Sequence, residues 1–169
     1  EYIRVDYYFL CNDFFEQYKS TRKIKKSIIN YIHNNYDILK DIYFEPKKIG
    51  KEKIDEIMDS VEYQKVLLDT ITHLNNTSLE IVLENTVNEL GNILDYKNID
   101  KKVYIIIGMN TTTIYSTKYQ NQDVTVILLE STLGIEENIK MLLAHEYTHW
   151  IREKEIRHDI FGNCIGEKF

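Results

Sequence analysis

Apolar residues recur at helical spacing through much of the first hundred positions. Ile24, Ile28, Tyr31, Ile32, Leu39 and Ile42 predict a helix from about 22 to 43. Phe44-Glu45-Pro46 stops it, because proline cannot continue a helix and restricts the residue before it. Shorter helical patterns follow near 51–59 and 62–74. Asn76-Thr77 then reads as an N-cap for a helix carrying Leu79, Val82, Leu83, Val87, Leu90 and Leu94. Residues 1–20 are rich in aromatics and fit a helix around Val5–Tyr18.

From Lys102 the period changes. Val103-Tyr104-Ile105-Ile106-Ile107 is β-branched and aromatic, is bounded by Gly108, and predicts a buried strand. Residues 108–122 are polar and predict a loop or an exposed sheet edge. Val124–Leu129 predicts a second strand, Ser131, Thr132 and Gly134 a turn, and Ile135 the start of a helix running to about Glu155. A mostly helical N-terminal part, a small sheet and one further helix make an α+β fold rather than a doubly wound sheet.

Composition narrows the function classes. A chain of 169 residues with 43% hydrophobic and 28% charged residues is that of an ordinary globular domain, so 1–169 is read as a single domain. Its apolar runs are only a few residues long, too short for a membrane helix. Residues 1–60 are neutral, and residues 61–169 carry the whole net charge of −6. The one dense basic run, Arg22-Lys23-Ile24-Lys25-Lys26, reads as a solvated helix start, and an acidic chain argues against a nucleic-acid partner. Cys11 and Cys164 lie far apart, so thiolates alone cannot build a zinc site within this chain.

The residues that carry chemistry are His145-Glu146-Tyr147-Thr148-His149, an HExxH. With five histidines in the chain, chance expects about 0.014 such motifs. On a helix, residues i and i+4 differ by about 40° around the axis, so both imidazoles can reach one tetrahedral cation. With Ile135 as the zero of the helical wheel, Leu142, Ile139 and Leu143 fall at about −20°, +40° and +80° and mark the apolar stripe. His145, Glu146 and His149 then fall on or beside it, facing the protein body. Polar groups on a buried face must be paired or must bind something. A Zn²⁺ ion held by His145 and His149 explains them together, with Glu146 as the general base for an attacking water. The bland alternative is two satisfied core histidines, with Glu146 paired to Arg152 or to a lysine on a solvated helix. His33 and His73 read as surface residues, and His158 as a possible accessory group.

The helix ending Leu142-Leu143-Ala144-His145-Glu146-Tyr147-Thr148-His149-Trp150, with Val124-Thr125-Val126-Ile127-Leu128-Leu129 before it, resembles the active-site region of zincin metallopeptidases. Residues from about 79 to 169 also resemble a bacterial family of predicted zinc-dependent proteases. That resemblance implies a zincin-like fold of gluzincin type. It implies a long helix, a strand, an irregular edge segment and a second strand leading into the HExxH helix. It further implies a peptide or protein substrate, and a third zinc ligand from the Glu of a Ser-Glu-Gly-type segment.

No such segment follows in this sequence. Either Glu167, 18 residues past His149, completes the site, or the ligand lies just beyond Phe169; the second is the preferred reading. In the family the sheet edge pairs with extended peptide, which assigns Tyr115–Asp123 to substrate, with Tyr115 or Tyr119 as candidate carbonyl polarisers. Three functions follow as expectations. The first is a zinc metallopeptidase. The second is a non-enzymatic zincin-like module, or an inactive fragment of a protease, that binds a peptide or partner. The third is a regulatory protease that cuts one dedicated repressor.

Overall fold

The computed structural model describes residues 2–108 and 113–157. Among them are seven α-helices and four strands in one mixed sheet, an α+β fold. The order is β1 (Ile3–Phe9), α1 (Cys11–Thr21), α2 (Ile24–Asn34), α3 (Tyr36–Leu39), α4 (Lys51–Met58), α5 (Val61–Leu74) and α6 (Leu79–Ile93). Then come β2 (Ile99–Ile106), β3 (Ile114–Tyr119), β4 (Gln122–Leu128), a 3₁₀ turn (Leu129–Thr132) and α7 (Glu136–Arg157). No helix among the described residues is long and apolar enough to cross a membrane.

Two expectations about the N-terminal part are corrected. Residues 3–9 form a strand rather than the start of a helix, because alternation of Ile3, Val5, Tyr7 and Phe9 gives one face for the sheet and β1 pairs beside β2. The helix expected over 22–43 is broken at Asn35. There the side chain turns back to the Tyr31 carbonyl (2.8 Å) and to Asp13 of α1 (3.0 Å), competing with the helical ladder. After α3 the chain widens into a π-helical turn, Lys40–Phe44, and ends before Pro46. The cap of α6 is Ser78, one residue later than expected; its hydroxyl accepts from the Ile81 N–H.

The strands run in the order β1-β2-β4-β3. β2 and β4 are parallel, with Val103 opposite Thr125 and Ile105 opposite Ile127, and both are buried. Two-sided burial explains why their sequences are continuous apolar runs rather than alternating ones. β3 is antiparallel to β4 and lies at the edge, so the polar segment is a strand whose composition suits an edge. Only Gln120 and Asn121 join β3 to β4, both at positive φ (52° and 62°), the geometry of a type I′ hairpin turn.

The described residues of 1–4, 78–100 and 136–169 form one compact unit, and those of 5–77 and 101–135 another. In the larger unit a buried polar network gathers at the end of β2. Glu130, 1% exposed, accepts the Gly108 N–H and the Tyr63 hydroxyl. The Ile107 N–H donates to the Tyr31 hydroxyl (3.0 Å), and the Tyr43 hydroxyl donates to the Gly108 carbonyl. Burial pushes the Tyr31 phenol and the Cys11 thiol well above their ordinary pKa values. Cys11 is a buried free thiol, and Cys164 lies outside the described residues.

In the smaller unit α7 packs on α6. Val82, Leu83 and Val87 of α6 and Ile139, Leu143, Tyr147 and Trp150 of α7 are all buried. Tyr147 anchors α7, donating its hydroxyl to the Tyr96 carbonyl just past α6. Gly91 makes room for it, since a Cβ there would stand 3.2 Å from that hydroxyl.

Candidate metal centre

All three residues of the motif lie in α7, eight or more residues from either end of the helix, where the helical ladder fixes their spacing. The Nε2 atoms of His145 and His149 are 3.0 Å apart, with ring centroids 4.6 Å apart and planes crossing at 81°. That separation is less than twice a usual Zn–N bond of about 2.0–2.1 Å, so one ion can bond both nitrogens. The donor set fits zinc as far as it goes. Among the described residues no group of three or more His, Cys, Asp and Glu side chains is placed to hold a metal ion.

The burial of the three is not what the wheel implied. Glu146 is buried, at 6% exposure, but both histidines are exposed. The reason is the phase of the stripe. Ile139, Leu143, Glu146, Tyr147 and Trp150 form the buried line, centred about 60° from Ile135 on the wheel, further round than Ile135 and Leu142 lie. His149 lies about 100° from that centre and His145 about 140°, so the imidazoles flank the stripe. Tyr147 and Trp150, the two aromatics that set the phase, were the signal the sequence offered.

The bland alternative has a structural answer in part. The histidines are not core residues, and Arg152 is exposed while Glu146 is buried. Arg152 makes no hydrogen bond or ion pair among the described residues, so it does not neutralise Glu146. Trp150 and Tyr147, both buried, contact each other with tilted rings (6.0 Å between centroids). Lys154 donates to the Asn98 carbonyl (2.9 Å), a second tie between α7 and the segment after α6.

Other candidates fall elsewhere. Tyr115 lies on β3, but its hydroxyl donates to the Ile42 carbonyl (2.6 Å) and Lys47 sits over its ring. Burial holds its phenol well above the ordinary value. It is a strut between β3 and the π-turn, with no proton to offer a substrate carbonyl. Tyr119 is half-buried edge-on against Tyr104, whose other side is stacked by Tyr8. His33 and His73 are exposed; the Nδ1 of His73 lies 2.7 Å from the Leu133 carbonyl, to which it donates. His158 and Glu167, and with them the question of the third ligand, lie outside the described residues.

No protein-family model matches this chain, and neither the curated proteins nor the solved structures include a match to it.

Proposed function

We propose that the chain is a zinc-dependent metallopeptidase of gluzincin type. The observation that carries the reading is the convergence of the His145 and His149 Nε2 atoms at 3.0 Å, with Glu146 in the same helical turn. The order α6-β2-β3-β4-α7 along the chain, with a polar edge strand before the second buried strand, is the order the zincin resemblance implies and supports the reading.

In this reading His145 and His149 hold the ion. When bound, zinc supplies Lewis acidity toward a water and a substrate carbonyl. Glu146 removes the proton as the water oxygen adds to the carbonyl carbon. It then delivers that proton to the amide nitrogen as the C–N bond breaks. Tyr147 and Trp150 keep α7 in place while its exposed flank meets the peptide.

Metal analysis and peptide digestion by protein purified without chelator test this. The expected result is one zinc per chain, and a loss of about 10²–10⁴-fold in hydrolysis for Glu146→Gln with zinc retained. Zinc binding that is equal in the wild type and His149→Ala, or unchanged turnover in Glu146→Gln, sinks the proposal. A second reading is a module that binds a peptide or partner without cleaving it. Zinc or peptide binding with no cleavage of any protein substrate would select it.

A further inference from the structure

We infer that Arg152 anchors a carboxylate of the bound peptide beside the imidazole pair; the inference rests on the metallopeptidase reading and deepens it. Three cationic side chains are described on α7 besides the histidines: Lys140, Arg152 and Lys154. Lys140 is paired with Glu136 (3.6 Å), and Lys154 donates to the Asn98 carbonyl. Arg152 is exposed and has no partner among the described residues.

Its position gives that guanidinium a task. Arg152 lies three residues after His149 and seven after His145, within about 20° of His145 around the helix axis. Helical Cα–Cβ bonds tilt toward the N-terminus, so a long side chain at 152 covers the turn before it, where the two imidazoles converge. Met141, also exposed and one turn before His145, leans away from the pair by the same rule.

Residues 61–169 are net acidic, so Arg152 is not part of a general basic surface, and its field is local. A planar guanidinium with five donors matches a carboxylate in bidentate fashion. The recognised group is therefore an acidic side chain of the peptide or its terminal carboxylate, held within a side chain's length of the bond to be cut.

Three probes separate the sources. They are a short acetylated and amidated alanine peptide, the same peptide with a central glutamate, and the alanine peptide with a free carboxyl terminus. Dissociation constants are measured by calorimetry on zinc-loaded and metal-free protein in the Glu146→Gln background, so that nothing is cleaved. At least one carboxylate peptide should bind about tenfold more tightly than the neutral one in both forms. Arg152→Gln should erase the advantage, and Arg152→Lys should keep part of it. Equal binding of all three, no binding, or an advantage that survives Arg152→Gln overturns the inference. If protein with native Glu146 neither holds zinc nor cleaves, while the Arg152-dependent preference persists, the metallopeptidase reading fails and carboxylate recognition stands.

Discussion

The Nε2 atoms of His145 and His149 meet at 3.0 Å on the exposed flank of α7. Neither imidazole is held there by core packing; helical spacing brings the two within hydrogen-bonding distance of each other. Replacing either one should empty the site without unfolding the chain. His149→Ala should lower zinc affinity at least about tenfold, within the range usual for damage to a metal site, with the helical circular dichroism unchanged. Zinc titration of both proteins checks this, and equal affinity refutes it.

The third ligand is decided by a second titration. If Glu167 completes the site, Glu167→Ala should weaken zinc as much as His149→Ala does. If the ligand lies past Phe169, the substitution should leave affinity unchanged and the 1–169 chain should bind zinc weakly. Two imidazoles alone leave half of a tetrahedral coordination sphere to solvent.

Tyr63→Phe removes a hydroxyl that donates to the buried carboxylate of Glu130. Hydrogen bonds to charged groups contribute about 1.5–3 kcal/mol, and that much stability should be lost. Urea denaturation of the two proteins measures it. A loss under about 0.5 kcal/mol, the size of an ordinary surface substitution, contradicts the network.

Gly134→Ala should also destabilise, by about 1–3 kcal/mol. Gly134 has φ +68°, and a Cβ there would stand 2.8 Å from the Thr70 carbonyl, a backbone atom with little freedom to retreat. Thermal melting is the readout, and an unchanged midpoint would mean that the turn before α7 relaxes freely.

The pH dependence has a definite sign. Burial raises the pKa of Cys11, Tyr31, Tyr115 and Tyr147 in the folded chain. Above the ordinary thiol and phenol values of 9.0 and 10.0 the unfolded chain therefore binds fewer protons than the folded one. Stability is fully present below that range and falls as pH rises through it. Melting temperature should drop steadily from pH 9 to 11, less steeply in Tyr31→Phe. An equal slope in that variant would refute the assignment to Tyr31.

Legibility in the sequence followed locality. The buried strands β2 and β4, helices α4 and α5, and the helix carrying the motif were readable because their signals lie in contiguous residues. β1 was not, since Tyr7, Tyr8 and Phe9 satisfy a helical and a strand period together, and the choice is made by β2, some ninety residues away. The HExxH spacing was legible, but the exposure of its histidines depended on counting Tyr147 and Trp150 in the apolar stripe. The Glu130 network had no local trace. Its donors, Tyr63 and Gly108, are 67 and 22 residues distant and come together only in the folded chain.

The two-residue turn at Gln120-Asn121 sets an order of assembly. β3 and β4 can zip on their own in about 1–10 μs, the time of an isolated hairpin. β2 joins β4 in parallel across a sequence separation that contains β3, whereas β1 can join β2 only after the chain between Phe9 and Ile99 has been made. The sheet thus grows against the direction of synthesis. During synthesis Ile3–Phe9 is made before its β2 neighbour and waits for it while some ninety intervening residues are added.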